Sequence, residues 1–129
     1  MTIPSGSGTE VLKRNSISGQ STTWTELNWA GEQTAGGASS GTTAIPANHI
    51  ITIMSIVFCN GSGADRTVHM KSTASGRDQI EFLTTQSLPT NGTFIFNDRI
   101  VLYPVDKLMF YSSGTSVGIW LSYIQQDWT

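Results

Sequence analysis

From Ile45 onward, clusters of turn-forming residues break the chain roughly every 8 to 12 residues, and the segments between them are too short for core helices. The clusters are NGSGAD at 60–65, STASGRD at 72–78, LPTNG at 88–92, the Pro104-to-Asp106 corner and SSGTS at 112–116. Between them lie β-branched and aromatic stretches. Ile50 to Cys59 (IITIMSIVFC) reads as a central strand buried on both faces, and Thr67 to Lys71 as its partner strand across an Asn-Gly turn. Gln79 to Thr84, Thr93 to Phe96, Arg99 to Tyr103, Leu108 to Ser112 and Val117 to Gln125 complete the set. That spacing predicts six or seven strands after residue 45 and excludes a helical bundle. The expected fold is an all-β, antiparallel β-sandwich.

Composition agrees. Ser, Thr and Gly number 16, 17 and 13 of 129 residues, whereas a bundle or coiled coil would be rich in Ala, Glu, Lys, Leu and Arg. The apolar share of 38% with a net charge of −2 argues against a disordered chain. That charge also gives no electrostatic footprint for nucleic acid. The opening MTIPSGSGTE has no basic segment leading into an apolar one, so synthesis in a cytoplasm without export is expected. His49 to Cys59, the longest apolar run, is too short and too interrupted to span a bilayer as a helix, and no membrane partner is expected.

Residues 1–20 read as an extended N-terminal arm, followed by a sandwich domain over 21–129. The arm holds GSG at 6–8 and a short apolar stretch with Val11, Leu12 and Ile17; AGGASSG follows at 35–41. Thr23 to Ala30 has both capping-box spacing and strand-like residues; the β-like composition favours strand.

No constellation for catalysis emerges. His49 and His69 fall in separate strands, without a spacing that holds zinc. Asp78 and Glu81, and Asp98 and Asp106, sit in turn or outward-facing contexts rather than as a facing carboxylate pair. Cys59, the single cysteine, ends an apolar run and is expected buried and inert. Asn60-Gly61-Ser62 and Asn91-Gly92-Thr93 fit the N-glycosylation pattern, but Asn-Gly serves turn geometry there. The chain is expected to be neither an enzyme nor a binder of metal or cofactor.

The tryptophans are the most informative residues. Trp120 lies inside the last predicted strand and is expected in the core. Trp24 and Trp29 stand in the polar N-terminal third, and Trp128 is next to last, where a free end would fray. Large aromatics in such places suggest coverage by a neighbouring subunit, so Trp24, Trp29 and Trp128 are candidate protein-interface residues. Burial in the chain's own core, or service as stacking platforms for sugar rings, are the alternatives.

The stretch IPANHIITIMSIVFCNGSGADRTVHM, continuing in SLPTNGTFIFNDRIVLYPVDKLMFYSSGTSVGIWLSYIQQDW, resembles small jelly-roll virion proteins of tailed bacteriophages, the capsid cement or decoration type. The opening IPSGSGTEVLKR resembles the start of such proteins too. The resemblance implies a jelly-roll-like sandwich, a homotrimer, the major capsid protein as partner, and a place on the capsid surface of a virion after synthesis in the host cytoplasm. A tail- or fibre-associated protein that binds host-surface glycan is the alternative. The resemblance implies no catalytic residues.

Overall fold

A computed structural model describes residues 9–20, 22–31, 33–34 and 43–127. They contain ten strands and no helix. In chain order these are β1 (Thr9–Gln20), β2 (Thr25–Glu26), β3 (Gln33–Thr34), β4 (His49–Asn60), β5 (Arg66–Ala74), β6 (Arg77–Leu88), β7 (Thr93–Phe96), β8 (Ile100–Leu102), β9 (Lys107–Ser112) and β10 (Val117–Asp127). One sheet has the order β3-β1-β10-β4-β7, with β8 also on β4; the other has the order β2-β9-β5-β6. All pairs are antiparallel except the short β1–β3 contact.

The pairing is nested. β1 lies on β10, β2 on β9, β4 on β7 and β8, and β5 on β6. A long hairpin rolled up so that successive pairs fall alternately into two facing sheets gives this order, which is the jelly roll. The expected antiparallel sandwich is therefore present, with seven strands after residue 45.

Residues 9–20, set apart in the sequence as part of an arm, run as β1 along β10. The first half of β1 is exposed, while Asn15, Ile17 and Gln20 are buried. Residues 1–8 lie outside the described residues. Between Thr23 and Ala30 only Thr25–Glu26 is strand. The chain then leaves the sheet edge and plugs the sandwich with Leu27 and Trp29, the Leu27 N–H donating to the Leu108 carbonyl at 2.8 Å.

Two expectations about β4 are corrected. The strand is central, with β10 on one side and β7 and β8 on the other, but it is fully buried on one face only. Ile51, Ile53, Ile56 and Phe58 face the core. The three-residue step from Ile53 to Ile56 is made possible by a bulge, since Ser55 pairs with Ser122 and Ile53 with Tyr123. Nor is β5 the hairpin partner of β4: it bonds to β6 and β9 in the opposite sheet. The reason is Asn60, which is 3% exposed and organises the connection around its side chain. Its Nδ2 donates to the carbonyls of Ala64 (2.8 Å) and Leu88 (3.0 Å), and its Oδ1 accepts from Ser62 N–H (2.9 Å) and Oγ (2.7 Å). An Asn used this way winds the turn inward and hands the chain across the sandwich.

The core fills the space between the sheets. Ile53, Ile56, Phe58, Leu121 and Tyr123 meet Val68, Met70, Leu83, Leu108 and Phe110. Each such side chain contributes about 1.5–3 kcal/mol on full burial. At one end the corner after β8 is locked by reciprocal backbone bonds: Val105 N–H to Ile45 O and Ile45 N–H to Asp106 O, both 2.9 Å. Asp106 accepts from Tyr103 N–H at 2.9 Å and from Arg77 at 3.2 Å, the turn-stabilising role its context suggests.

Candidate interaction faces

Strand register decides what each sheet shows outward. On the six-stranded sheet, directly paired residues share a face. Ser16, Trp120, Val57 and Ile95 form one outward rung across β1, β10, β4 and β7. Leu12, Ile124, Thr52 and Val101 form another across β1, β10, β4 and β8. A polar rung of Arg14, Ser122 and Ser55 lies between them. Four of these apolar side chains are strongly exposed: Leu12 73%, Val101 53%, Ile95 51% and Trp120 43%. The Arg14 guanidinium lies 4.8 Å from the centre of the Trp120 ring, so the charge covers the indole without removing it from water. Beside Trp120 is a shallow groove of about 330 Å³, bordered by Ser16, Ser18, Val57 and Cys59, with Gly118 between the walls.

Two expectations fail here for one reason, the parity of β4 and β10. Trp120 is not in the core, because Ile119, Leu121 and Tyr123 take the inward positions. Cys59 is not buried, because Phe58 faces inward; the thiol is exposed, with Sγ 3.7 Å from Thr93 Oγ1.

The other sheet shows a different surface. Trp24, just before β2, reaches across β9 to β5. Its ring lies 5.4 Å from Tyr111 in a tilted arrangement and 6.2 Å from His69 edge-on. His69 and Tyr111, direct partners in the ladder, meet edge to face at 5.2 Å. Lys71 Nζ stands 4.0 Å over the Trp24 ring and donates to Gln79 Oε1 at 3.1 Å. The Thr85 N–H donates to His69 Nδ1 at 3.3 Å, so the neutral imidazole carries its proton on Nε2. One rung away, Lys107 and Glu26 pair at 3.4 Å.

The predicted interface residues thus separate. Trp24 is half-buried on the outer face of the four-stranded sheet. Trp29, expected at an interface, is 6% exposed and belongs to this chain's core. It packs edge-on against Tyr123, and its indole N–H donates to the Thr43 carbonyl at 3.1 Å. A tryptophan that finds its hydrogen-bond acceptor inside its own fold needs no partner to cover it. Trp128 lies outside the described residues. Leu12, Ile95, Val101 and Trp120 are not among the surface residues that the sequence singles out; alternation along β1, β7, β8 and β10 turns them outward.

Two ionisable groups are tuned by their surroundings. Backbone and hydroxyl donation from Thr90 holds Asp65 below the usual carboxylate value. Burial pushes the Tyr123 hydroxyl above its ordinary 10.0. Arg77 donates to the backbone carbonyl of Asp78 at 3.1 Å, and Glu81 accepts from Thr84 Oγ1 at 2.9 Å. His49 contacts Asp127 at 3.6 Å and the Ala47 carbonyl at 2.8 Å. Among the described residues no three His, Cys, Asp or Glu side chains gather as a metal site.

No known family description matches the sequence, and no curated protein matches it. Among solved structures, a chain of the T13 particle of infectious bursal disease virus matches with a TM-score of 0.47 and 9% identity over 93% of this chain. A chain of the Gx strain of that virus gives 0.47 and 10% over 93%. The Eiger TNF of S. frugiperda gives 0.40 and 12%, covering 98% of this chain and 88% of its own. This chain spans little more than a third of the two viral chains, 36% and 37% of their length.

Proposed function

We propose that this chain is a structural protein of a virus particle, and more specifically a decoration protein of a tailed-phage head. In this reading it forms homotrimers on the capsid surface after synthesis in the host cytoplasm, and binds the major capsid protein. Its work is adhesive and not catalytic.

The observation that carries the reading is the pair of apolar rungs on the outer face of the six-stranded sheet. Four large apolar side chains about half exposed or more stand in two rungs on either side of a polar one. A stable interface buries about 800 Å² per partner, a little over half of it apolar. The face thus combines exposed apolar side chains with hydroxyls of Ser122 and Ser55 between them, the mixture that protein interfaces use. The low charge and the abundant Ser and Thr suit contacts that persist as salt varies.

The solution mass of the purified protein tests this reading. Light scattering is expected to give three times the 13.9 kDa chain mass, and the protein is expected to bind to heads stripped of it. A monomer at all concentrations that does not bind to heads would overturn the reading.

A further inference from the structure

We propose that His69 and Thr85 form a pH-sensitive latch on β6, the edge strand of the four-stranded sheet: the neutral imidazole holds a strained bulge in place, and the protonated ring releases it. The latch uses none of the apolar rungs and stands apart from the reading above.

Register makes the bulge. Val68 pairs with Gln86 and Met70 with Leu83, so Thr84 and Thr85 on β6 together oppose His69 on β5. Thr85 takes a φ of +54°, a left-handed conformation that a β-branched residue disfavours. Such a conformation persists only where its surroundings hold it. Two side-chain contacts do so here. The Thr85 N–H donates to His69 Nδ1 at 3.3 Å, and the Thr84 hydroxyl donates to Glu81 Oε2 at 2.9 Å. The first contact depends on the charge of the ring. A backbone N–H only donates, so Nδ1 must accept, and it accepts only in the neutral imidazole; protonation sets a second N–H against the first. The ring cannot turn aside without losing its edge contacts with Tyr111 at 5.2 Å and Trp24 at 6.2 Å. Lys71, two residues along β5 on the same face, brings a positive charge that disfavours another, with Glu81 as its ladder partner. Tyr111 faces the ring from β9, and beyond it Lys107 is paired with Glu26 of β2. Among the described residues no carboxylate pairs with His69 to favour the protonated ring. His49 is wired the opposite way. Its ring nitrogens meet acceptors, the Ala47 carbonyl at 2.8 Å and the Asp127 carboxylate at 3.6 Å, so protonation breaks neither contact. The hold on Thr85 is therefore present with the neutral His69 ring and is lost as pH falls through the imidazole titration. On the free side of β6 no described strand replaces the lost bond.

NMR of the full-length protein between about pH 8 and about pH 5.5 tests the latch without a variant, in the range where an imidazole changes charge and above that of ordinary carboxylates. The protection of the Thr85 amide against hydrogen exchange, corrected for the intrinsic rate at each pH, is expected to fall about fivefold or more, as the loss of one hydrogen bond predicts. The fall should follow the midpoint of the His69 ring, while the amides of the buried Met70 and Phe110 keep their protection. His69→Asn places an amide oxygen near the Nδ1 position and does not titrate, so Thr85 should stay protected throughout. His69→Phe keeps a ring but offers no acceptor, and should show the low-pH state of Thr85 at both ends of the range. Unchanged protection of Thr85 across the range overturns the proposal. So does the wild-type pH response persisting in His69→Asn. The wild-type titration decides the question even if neither variant folds.

Discussion

The two sheets share one core yet turn different chemistry outward. The six-stranded sheet shows Leu12, Trp120, Ile95 and Val101 in ladder-spaced rows, with Arg14 lying over the indole. The four-stranded sheet shows Trp24, His69 and Tyr111 in mutual contact, joined by Lys71. On the first, apolar groups stand apart and exposed, a surface that gains free energy when another flat surface covers it. On the second, the aromatics already cover one another and are interleaved with hydrogen-bonding groups, so less apolar surface is left for a partner to cover. A sandwich makes this division possible, because alternation lets each strand commit one side to the core and leaves the other free.

The shared core sets the reference for that comparison. Phe58→Ala removes a ring that touches both Phe94 and Phe110, and should cost about 3–5 kcal/mol of stability, seen as a large drop in the urea midpoint. Both faces should lose function together. If only one face fails, the two sheets are less coupled than their common core implies.

A smaller and more selective effect is expected at the first face. Trp120→Ser should weaken self-association by about 2 kcal/mol or more while leaving the thermal midpoint of the dissociated chain nearly unchanged. Sedimentation equilibrium measures the first quantity and calorimetry the second. At the second face, Trp24→Ala should cost about 1–2 kcal/mol of folding stability, since the ring is only half-buried and rests on side chains rather than in the core.

The smallest effects are in pH. Asp65 has its carboxyl lowered by Thr90, so its contribution is present above the ordinary carboxylate value of 3.8 and is lost as pH falls through its lower folded value. Tyr123 is raised by burial, so its contribution is whole below 10.0 and is lost as pH rises through the folded value. Asp65→Asn should flatten only the acid limb of the stability profile, and Tyr123→Phe only the alkaline limb. Neither change should alter one face relative to the other.

Much of the fold is legible in the residues. The β-branched runs and the turn clusters after Ile45 predict six or seven strands where seven are present, and the corner containing Asp106 is a turn as its composition suggests. What the residues hide is which sheet each strand joins and which way each side chain points. Asn-Gly at 60–61 reads as a hairpin, but the buried Asn60 side chain binds Ala64 and Leu88 and sends the chain across the sandwich. A single bulge, at Met54, resets the alternation in β4. Strict alternation along β10 then seats Tyr123 in the core and leaves Trp120 outside, and neither fact is written in local composition. Val105 takes a φ of +68°, disfavoured for a β-branched residue, and is held there by its bond to Ile45, sixty positions earlier. Trp29 shows the same limit from the other side. Its polar surroundings in sequence suggest exposure, yet Thr43 and Tyr123 enclose it.

Cys59 offers the most direct test of the central claim, that the outer face of the six-stranded sheet is covered in the working assembly. It is the only cysteine, it is exposed in the single chain, and it borders the groove beside Trp120. The measurement is the rate at which a thiol reagent labels it, in the assembled wild-type protein and in the dissociated Trp120→Ser variant. The account predicts rapid labelling of the dissociated chain and strong protection in the assembly. Equal, rapid labelling in both would contradict it.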